Sequence, residues 1–304
     1  MEQVTFNNIH FKAPFILGLM RINGKTVAEV KALLQASLDA GVNYFDHADI
    51  YGGGECEKLF AQAIKELKID RKDYILQSKV GIRPGVAYDF TYEHIVQSVD
   101  GILKRLQTTY LDVLLLHRPD MLMEPEVVAK ALIELKKSGK VLHFGVSNFH
   151  QSSIALLQKH LPFKLIINQM QLSVAHNALI TSNIYVNSDF PFNAYGTYGL
   201  LNYMQEQDIT LQAWSPLLYR VGESLLDHPE LEALNVELSK LAAKYGVTKS
   251  AIAFAFILRH PAKTQVVLGT TSVKHLKEAL EARTIKLTHD EWYALIAASG
   301  KRII

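Results

Sequence analysis

The feature that most constrains this chain is the alternation of short apolar runs, rich in β-branched residues, with longer stretches of helical periodicity. Eight runs are predicted to be strands, at residues 15–18, 42–45, 74–78, 111–116, 141–146, 165–168, 209–213 and 265–268. Helices are predicted at residues 26–40, 55–67, 91–106, 125–138, 151–160, 195–207, 231–245, 249–259, 273–282 and 290–298. Alternation of this kind indicates a parallel sheet covered by helices.

Such a sheet can be open and doubly wound, or closed as a (β/α)8 TIM barrel. Eight units favour the barrel, because side chains can fill its interior and closure leaves no edge strand. The open alternative lacks its usual marker: no G-x-G-x-x-G follows the first strand, and Gly52 to Gly54 come after the second with different spacing. The opening VTFNNIHFKAP predicts an N-terminal β-hairpin that turns at Asn7-Asn8.

Composition and charge exclude several classes of protein. With 49% hydrophobic and 20% charged residues among 304, the chain is typical of globular proteins, and no linker divides residues 1–304, so we expect one domain. The net charge of +2 without a Lys/Arg run predicts no nucleic-acid partner. No leader and no run of 18 apolar residues is present, so we expect a cytoplasmic protein without a membrane partner. The one cysteine, Cys56, excludes an internal disulfide.

Polar and aromatic residues follow nearly every predicted strand. They are Asp46 with Tyr51, Lys79, His117, Ser147 with Asn148, Gln169, Trp214 with Ser215, and the segment from Gly269 to Ser272. A barrel gathers the C-terminal ends of its strands around one mouth, where active sites form. Each residue alone fits a solvated loop or rim packing. Together, an acid, a cation, a phenol and an imidazole at one mouth predict a reaction site.

Five stretches carry a family resemblance. FDHADIYG (45–52), SKVG (78–81), LLLHRPD (114–120), GVSNF (145–149) and AWSPL (213–217) resemble, in order, the signature stretches of the aldo-keto reductase superfamily. The likeness extends from Gly18 to about Glu278, and the HADIYGGGECE and HRPD forms are most similar to a bacterial oxidoreductase branch. The resemblance implies an NAD(P)H-dependent oxidoreductase that reduces aldehydes or ketones, as small-molecule substrates, to alcohols.

The resemblance also implies a catalytic tetrad of Asp46, Tyr51, Lys79 and His117. Tyr51 would be the general acid, and His117 would orient the substrate oxygen through a ring N–H. Because a free tyrosine titrates near 10, it needs a nearby cation that stabilises its phenolate. Lys79 would supply this charge, and Asp46 would hold the lysine charged and aimed.

The implied cofactor is NADP, with NAD possible. The resemblance places the nicotinamide on Trp214 and its carboxamide against Ser147, Asn148 and Gln169. Further candidate cofactor contacts are Met20, Arg21, Ser215, Pro216, Leu217, Arg220, Gly269, Thr270, Thr271, Ser272, Lys274, His275 and Glu278. His275 stands where the family commonly has arginine, which offers a permanently charged fork, so the choice between NADP and NAD stays open.

Two alternatives remain beside this interpretation. Asp46, His47 and Asp49 have residue types that bind metals, although no distant histidine completes a known geometry. The superfamily also includes ion-channel accessory subunits, so a cofactor-binding, non-catalytic accessory or sensor protein is the second hypothesis. Cofactor oxidation that depends on substrate distinguishes an enzyme from such a subunit. The substrate itself is set by mouth loops, here Met20-Arg21, His47, residues 121–123 and residues 173–196.

Overall fold

A computed structural model describes residues 14–186 and 196–303, and the backbone of residues 4–6 and 9–11. The strands, in chain order, are β1 (Val4–Phe6), β2 (Ile9–Phe11), β3 (Phe15–Gly18), β4 (Tyr44–Asp46), β5 (Ile75–Val80), β6 (Ile82–Arg83), β7 (Ala87–Tyr88), β8 (Leu111–Leu116), β9 (Val141–Ser147), β10 (Leu165–Gln171), β11 (Thr210–Trp214), β12 (Leu218–Arg220), β13 (Glu223–Ser224) and β14 (Thr264–Leu268).

The α-helices are α1 (Val27–Asp39), α2 (Glu55–Glu66), α3 (Tyr92–Leu106), α4 (Pro125–Lys137), α5 (Gln151–Gln158), α6 (Ala178–Thr181), α7 (Leu200–Glu206), α8 (Glu232–Tyr245), α9 (Lys249–Leu258), α10 (Val273–Leu280) and α11 (His289–Ala298). Short 3-10 helices occur at Met20–Ile22, Tyr51–Gly54, Arg71–Asp73, Pro229–Leu231 and Glu281–Thr284. Capping boxes begin α1 at Thr26 and α11 at Thr288, where each threonine accepts from the backbone of a glutamate three residues later.

Eight parallel strands form a closed barrel. Their order is β3, β4, β5, β8, β9, β10, β11 and β14, which is also their order in the chain. The prediction of a (β/α)8 barrel is therefore confirmed. The strand β8 shows why the sequence pattern was informative: five of its six residues are buried, as expected for a strand packed on both faces.

The N-terminal hairpin is also confirmed, because β1 and β2 pair antiparallel with Val4 opposite Phe11. Its turn at Asn7-Asn8 lies outside the described residues. Two further hairpins were not predicted, β6 with β7 and β12 with β13. Their two- or three-residue strands are too short to show a periodicity.

Several helix boundaries differ from the prediction by one or two residues, and the start of one helix differs by more. The helix expected at 195–207 begins at Leu200, because Gly199 before it adopts a left-handed conformation with φ of 68°. Residue 195 lies outside the described residues. The helix expected at 273–282 ends at Leu280, and a 3-10 turn follows at Glu281–Thr284.

The chain divides into two compact units. The first comprises Met1–Gln169 with Gly269–Val273, and the second comprises Met170–Leu268 with Lys274–Ile304. In the first, the rings of Phe45, Phe60 and Tyr74 pack with centroids 5.2 to 5.9 Å apart. In the second, Phe256 stacks on Trp292 at 5.1 Å. The interpretation of residues 1–304 as one domain stays a prediction.

A membrane-crossing helix was not expected. Among the described residues, no single helix is long and apolar enough to span a bilayer. Within this part of the chain, one pair of helices, Pro229–Tyr245 and Lys249–Leu258 with a bend of 93° between them, meets the requirement of length and composition when taken together.

Candidate active site

Neighbouring strands of the first unit carry polar side chains at their C-terminal ends. Asp46 is the last residue of β4, Lys79 is the next-to-last residue of β5, and His117 follows β8 directly. Tyr51 opens the 3-10 helix after β4. Parallel strands end at the same edge of a barrel, so their order along the chain brings these four residues to one place.

Three consecutive glycines make the turn behind Tyr51. Gly52, Gly53 and Gly54 have φ values of 57°, 63° and 93°, which lie in the left-handed region that L side chains rarely adopt. A Cβ at Gly52 would lie 2.9 Å from the Asn23 side chain. The three glycines therefore form a sharp turn between Tyr51 and α2.

The Lys79 ammonium has three N–H donors, and all three are used. Its Nζ donates to Asp46 Oδ2 at 2.7 Å, to the His47 carbonyl at 3.0 Å and to Tyr51 Oη at 3.0 Å. Lys79 is fully buried. Burial lowers the pKa of Lys79, but the Asp46 carboxylate and the Tyr51 hydroxyl outweigh burial and raise it above 10.5. The lysine is therefore a buried cation.

This geometry sets the direction of the hydrogen bond at Tyr51. An ammonium has no lone pair, so Tyr51 Oη accepts from Lys79 and its own O–H points elsewhere. Burial raises the pKa of the Tyr51 hydroxyl above 10.0, and Lys79 opposes that effect only in part. Lys79 therefore lowers the pKa of Tyr51 by less than burial raises it. Tyr51 holds its proton at neutral pH.

The Asp46 carboxylate accepts from two amides besides the lysine. Gln77 Nε2 lies 2.5 Å from Asp46 Oδ1, and Gln169 Nε2 lies 3.2 Å from the same oxygen. Sequence reasoning missed Gln77. Its position in the interior of β5, directly opposite Asp46 on β4, was the available signal.

His117 is half-buried and packs edge-on against Tyr51, with ring centroids 6.1 Å apart. Burial, with the charges of Lys79 and Arg118, lowers the pKa of His117 to about 2. The ring is therefore neutral at pH 7 and carries one N–H. Its Nδ1 is buried without a hydrogen-bond partner in the described part of the chain. A neutral imidazole beside a tyrosine hydroxyl can donate to an oxygen without becoming charged.

The residues expected to hold a carboxamide lie together in the first unit. Ser147 Oγ donates to the Gln169 carbonyl at 2.8 Å, and Asn148 Nδ2 donates to Ser147 Oγ at 2.9 Å. Asn148 Nδ2 also lies 3.3 Å from the His117 carbonyl. Because Gln169 donates to Asp46 as well, hydrogen bonds connect this group to the tetrad residues. An alcohol and two primary amides are suitable donors and acceptors for a carboxamide.

Other expected contacts of the first unit lie on its surface or in a loop. Met20 and Arg21, in a 3-10 turn after β3, are exposed. In the loop after β14, the Ser272 N–H donates to Thr270 Oγ1 at 3.0 Å, which fixes a local turn that includes Thr271. Gly269 opens this loop, and a Cβ there would meet nothing within 4 Å.

The second unit carries the aromatic candidate and the segment after it. Trp214 ends β11 and is half-buried, and Ser215 after it has a φ of 50°. Pro216 is buried and Leu217 half-buried. Arg220 forms a two-point ion pair with Glu230, with N–O distances of 2.7 and 3.1 Å. A phosphate at Arg220 has to compete with this carboxylate.

Three candidates of the second unit share α10. Lys274 and His275 are exposed, and Glu278 is half-buried. Lys274 Nζ lies 3.8 Å from Glu278 Oε1, a weak pair for an exposed side chain.

The metal hypothesis finds no support in the described ranges, where no group of three or more His, Cys, Asp or Glu side chains is placed to hold an ion. Asp46 binds Lys79 instead. His47 is fully buried with its ring 4.9 Å from that of Phe60, and burial lowers its pKa to about 3. The His47 ring is therefore neutral at pH 7 and packs in the core.

A second buried cluster lies behind the site and was missed by sequence reasoning. Glu57 on α2 pairs with Arg105 on α3 at 2.6 Å and accepts from Ser78 at 3.1 Å. Asp49 Oδ1 is buried without a partner among the described residues, and burial followed by the charge of Glu57 raises the pKa of Asp49 to about 7. The sequence signal for this cluster was weak, since Glu57 and Arg105 lie on two separate helices, α2 and α3, that only the fold brings together.

Comparison with known proteins gives a family. A model described as "Aldo/keto reductase family" matches residues 14–299. Oxidoreductase YdhF of Escherichia coli (strain K12) is 32% identical over 94% of this chain and 93% of its own length. A 6-dehydroglucose reductase of Agrobacterium fabrum is also 32% identical, over 100% of both chains.

A solved structure gives the same fold. An aldo/keto reductase from Klebsiella pneumoniae, in complex with NADP and acetate, superimposes with a TM-score of 0.75. It is 23% identical and the match covers 95% of this chain and 91% of that one.

Proposed function

Because the chain belongs to the aldo/keto reductase family, we propose that it is an NADP-dependent reductase of aldehydes or ketones in which Tyr51 is the proton donor. One observation carries the proposal. Lys79, bound to Asp46, donates to Tyr51 Oη at 3.0 Å and so leaves the tyrosine proton directed away from the lysine. A phenol in that state can give its proton to a carbonyl oxygen as that oxygen gains charge.

Each residue of the tetrad then has one task. Tyr51 transfers its proton to the carbonyl oxygen, and Lys79 stabilises the phenolate that remains. Asp46 holds the lysine in place. His117, neutral because its pKa is about 2, donates a ring N–H to the same oxygen and lowers the cost of developing charge.

The residues present fit a nicotinamide cofactor. When bound, the cofactor supplies the hydride that reduces the carbonyl carbon, which no side chain can donate. Ser147, Asn148 and Gln169 would hold its carboxamide, because hydrogen bonds join their polar groups to one another and, through Gln169, to Asp46. Trp214 would provide a flat apolar face for the ring.

Preference for NADP is the finer part of the proposal, and it is supported by the NADP complex of the Klebsiella pneumoniae relative. We propose that the loop from Gly269 to Ser272, with Lys274 and His275, holds the 2′-phosphate. An imidazole is a weaker phosphate ligand than a guanidinium, so NADPH should bind more tightly than NADH by a modest margin. His275→Arg should widen that margin, and the gain should shrink at high salt because His275 is exposed.

Dissociation constants for both cofactors, in the wild type and in His275→Arg, test this preference. Lys277→Arg is the matched control, since Lys277 is also exposed on α10 and its substitution should leave the margin unchanged. Equal affinities for NADPH and NADH in both proteins would show that this loop does not distinguish the two.

The activity itself is tested by carbonyl-dependent oxidation of NADPH and NADH across aldehydes, ketones and quinones. An oxidised sugar belongs in the panel, because the Agrobacterium fabrum relative is named a 6-dehydroglucose reductase. Turnover of any of these carbonyls supports a reductase. Tight cofactor binding without turnover on the whole panel would favour the accessory or sensor alternative.

A further inference from the structure

We propose that Gln77, itself held by Tyr44, is a positioning residue that fixes the orientation of Asp46 and weakens the pull of its charge on Lys79. The inference rests on the proposed role of Tyr51. It extends the tetrad by two residues that neither the signature stretches nor the strand ends include.

The contact between Gln77 and Asp46 is short, buried and charged. Gln77 lies opposite Asp46 across β4 and β5, and its Nε2 donates to Asp46 Oδ1 at 2.5 Å. Gln77 is 0% exposed and Asp46 2% exposed. Hydrogen bonds to an ionised group are about twice as strong as neutral ones, and burial removes water as a substitute donor.

Tyr44 holds the acceptor end of the Gln77 amide. The buried Tyr44 hydroxyl donates to Gln77 Oε1 at 2.7 Å. With the amide reversed, Gln77 Oε1 would face Asp46 Oδ1, and two acceptors cannot share a hydrogen bond. Asp46, which only accepts, therefore sets the orientation of the Gln77 amide, and the Tyr44 hydroxyl holds the amide oxygen in that orientation.

The two oxygens of Asp46 consequently have separate partners. Oδ1 accepts from Gln77 and, at the longer distance of 3.2 Å, from Gln169, whereas Oδ2 accepts from Lys79 at 2.7 Å. This division keeps one carboxylate edge towards the lysine. Because the amides neutralise part of the charge on Asp46, more of the field of Lys79 acts on Tyr51.

The direction of the effect follows from the charges that surround Tyr51. Asp46 raises the pKa of Tyr51 and Lys79 lowers it. Loss of the Gln77 donor strengthens the effect of Asp46, so it should make the Tyr51 phenolate harder to form. Turnover should fall, and the alkaline limb of its pH profile, where Tyr51 loses its proton, should move to higher pH.

Gln77→Met tests this directly, since methionine keeps the length of the side chain and removes both hydrogen-bonding groups. We expect kcat for carbonyl reduction to fall about tenfold, as for loss of one charge-assisted hydrogen bond, with the alkaline limb at higher pH. KM and the cofactor dissociation constant should stay within about twofold, because Gln77 is not proposed to touch either ligand. Gln77→Glu, which places a second carboxylate against Asp46, should be slower still.

Matched controls separate positioning from general damage to the fold. Gln158→Met removes an amide that, like Gln77, bridges two groups. Its partners are the Phe163 carbonyl at 2.8 Å and the Leu165 N–H at 2.9 Å, and neither belongs to the tetrad. It should lower thermal stability and leave kcat and the pH profile unchanged. Tyr74→Phe is the matched control for Tyr44→Phe, because both changes remove one phenolic hydroxyl.

A double-mutant cycle tests the order of the contacts. Tyr44→Phe should shift the pH profile in the same direction as Gln77→Met but by less, and the double variant should be no slower than Gln77→Met alone. If Gln77→Met does not fold, Tyr44→Phe carries the test. A wild-type kcat and pH profile in the folded variant would overturn the inference.

Tyr51→Phe, measured in the same series, separates this inference from the proposed function. Loss of turnover in Tyr51→Phe with none in Gln77→Met removes only the role of Gln77. Retained turnover in Tyr51→Phe removes the proposed function and this inference with it.

Discussion

Two ion pairs of the first unit, one buried and one partly exposed, have similar chemistry and different surroundings. The tetrad cluster, formed by Asp46, Tyr51, Lys79 and His117, lies at the C-terminal ends of the strands. The arginine cluster, formed by Arg71, Tyr74, Tyr110 and Asp112, lies at their N-terminal ends, where β5 and β8 begin. The ion pairs have similar lengths, 2.7 Å for Lys79 to Asp46 and 2.6 Å for Arg71 to Asp112.

In the arginine cluster, most of the N–H donors of Arg71 have hydrogen-bond partners. Arg71 donates to Thr108, to the carbonyls of Tyr74 and Tyr110, and to Asp112, at 2.6 to 3.2 Å. Its guanidinium lies 4.0 Å from the ring centroid of Tyr110 and 4.9 Å from that of Tyr74. These contacts use four of the five N–H groups of Arg71, and a cation held in this way connects two strand starts and stabilises the fold.

The tetrad cluster differs because some of its hydrogen-bonding groups are not used within the cluster. The Tyr51 proton is not used by Lys79, His117 Nδ1 has no partner among the described residues, and the Lys79 and Asp46 side chains are only 1% and 3% exposed. Buried charges beside groups with displaced pKa values are typical of reaction sites. The two ion pairs therefore differ less in their own geometry than in the donors and acceptors that remain unpaired around them in the part of the chain that the structure describes.

Loss of the Lys79 charge should have the largest effect. Lys79→Met should lower kcat by about 10²- to 10⁴-fold, the range of a positioned acid, because Lys79 is the cation that lowers the pKa of Tyr51 among the described residues. The pH profile should move to higher pH. Rates are measured in single turnover on protein shown to be folded by circular dichroism. A variant with the wild-type rate and profile would show that Lys79 does not act on Tyr51.

Loss of the Arg71 charge should instead reduce stability and spare activity. Arg71→Met should lower the free energy of unfolding by about 2–3 kcal/mol, less than for a fully buried pair, because both side chains are about a fifth exposed. Denaturant titration gives the loss, and kcat of the folded variant should stay within about twofold. A fall in kcat comparable to that of Lys79→Met would remove the contrast between the clusters.

Much of the fold was predictable because its signals are local. Strand and helix periods, the Asp46 strand end and the Gly52 to Gly54 turn are each contained in a few consecutive residues. The tetrad was implied by the family resemblance, and strand order explains why its residues could be expected near one another, since consecutive strands of a barrel are neighbours.

The rest depended on contacts between distant residues. Gln77 looks like an ordinary strand residue until Asp46 is placed beside it at 2.5 Å. Arg71 and Asp112 are separated by 40 intervening residues and meet only in the folded chain, as do Glu57 and Arg105. The effect of Glu57 on the pKa of Asp49 could not be predicted either, since it depends on how deeply both carboxyl groups are buried.

Asp49 should give a smaller effect that depends on pH. Burial and Glu57 raise its pKa from 3.8 to about 7, against the opposing charges of Arg105 and Lys79. The folded protein therefore holds a proton that the unfolded chain releases above pH 4, so this group costs stability as pH rises from about 4 to 7. Asp49→Asn removes that cost.

The free energy of unfolding of Asp49→Asn, measured relative to the wild type, should rise by roughly 2 kcal/mol as the pH increases from 5 to 8. Unfolding titrations at both pH values measure it. Asp70→Asn is the control, because Asp70 is exposed and should give the same difference at both. A constant difference for Asp49→Asn as well would mean that Asp49 is ionised throughout.

The most direct measurement is the rate of carbonyl reduction by Tyr51→Phe, beside Tyr74→Phe from the arginine cluster. Both changes remove one phenolic hydroxyl, but only Tyr51 accepts from Lys79. We predict that Tyr51→Phe loses about 10²- to 10⁴-fold in kcat with nearly unchanged cofactor affinity, and that Tyr74→Phe keeps the wild-type rate. More than about a tenth of the wild-type rate in Tyr51→Phe would contradict its role as proton donor.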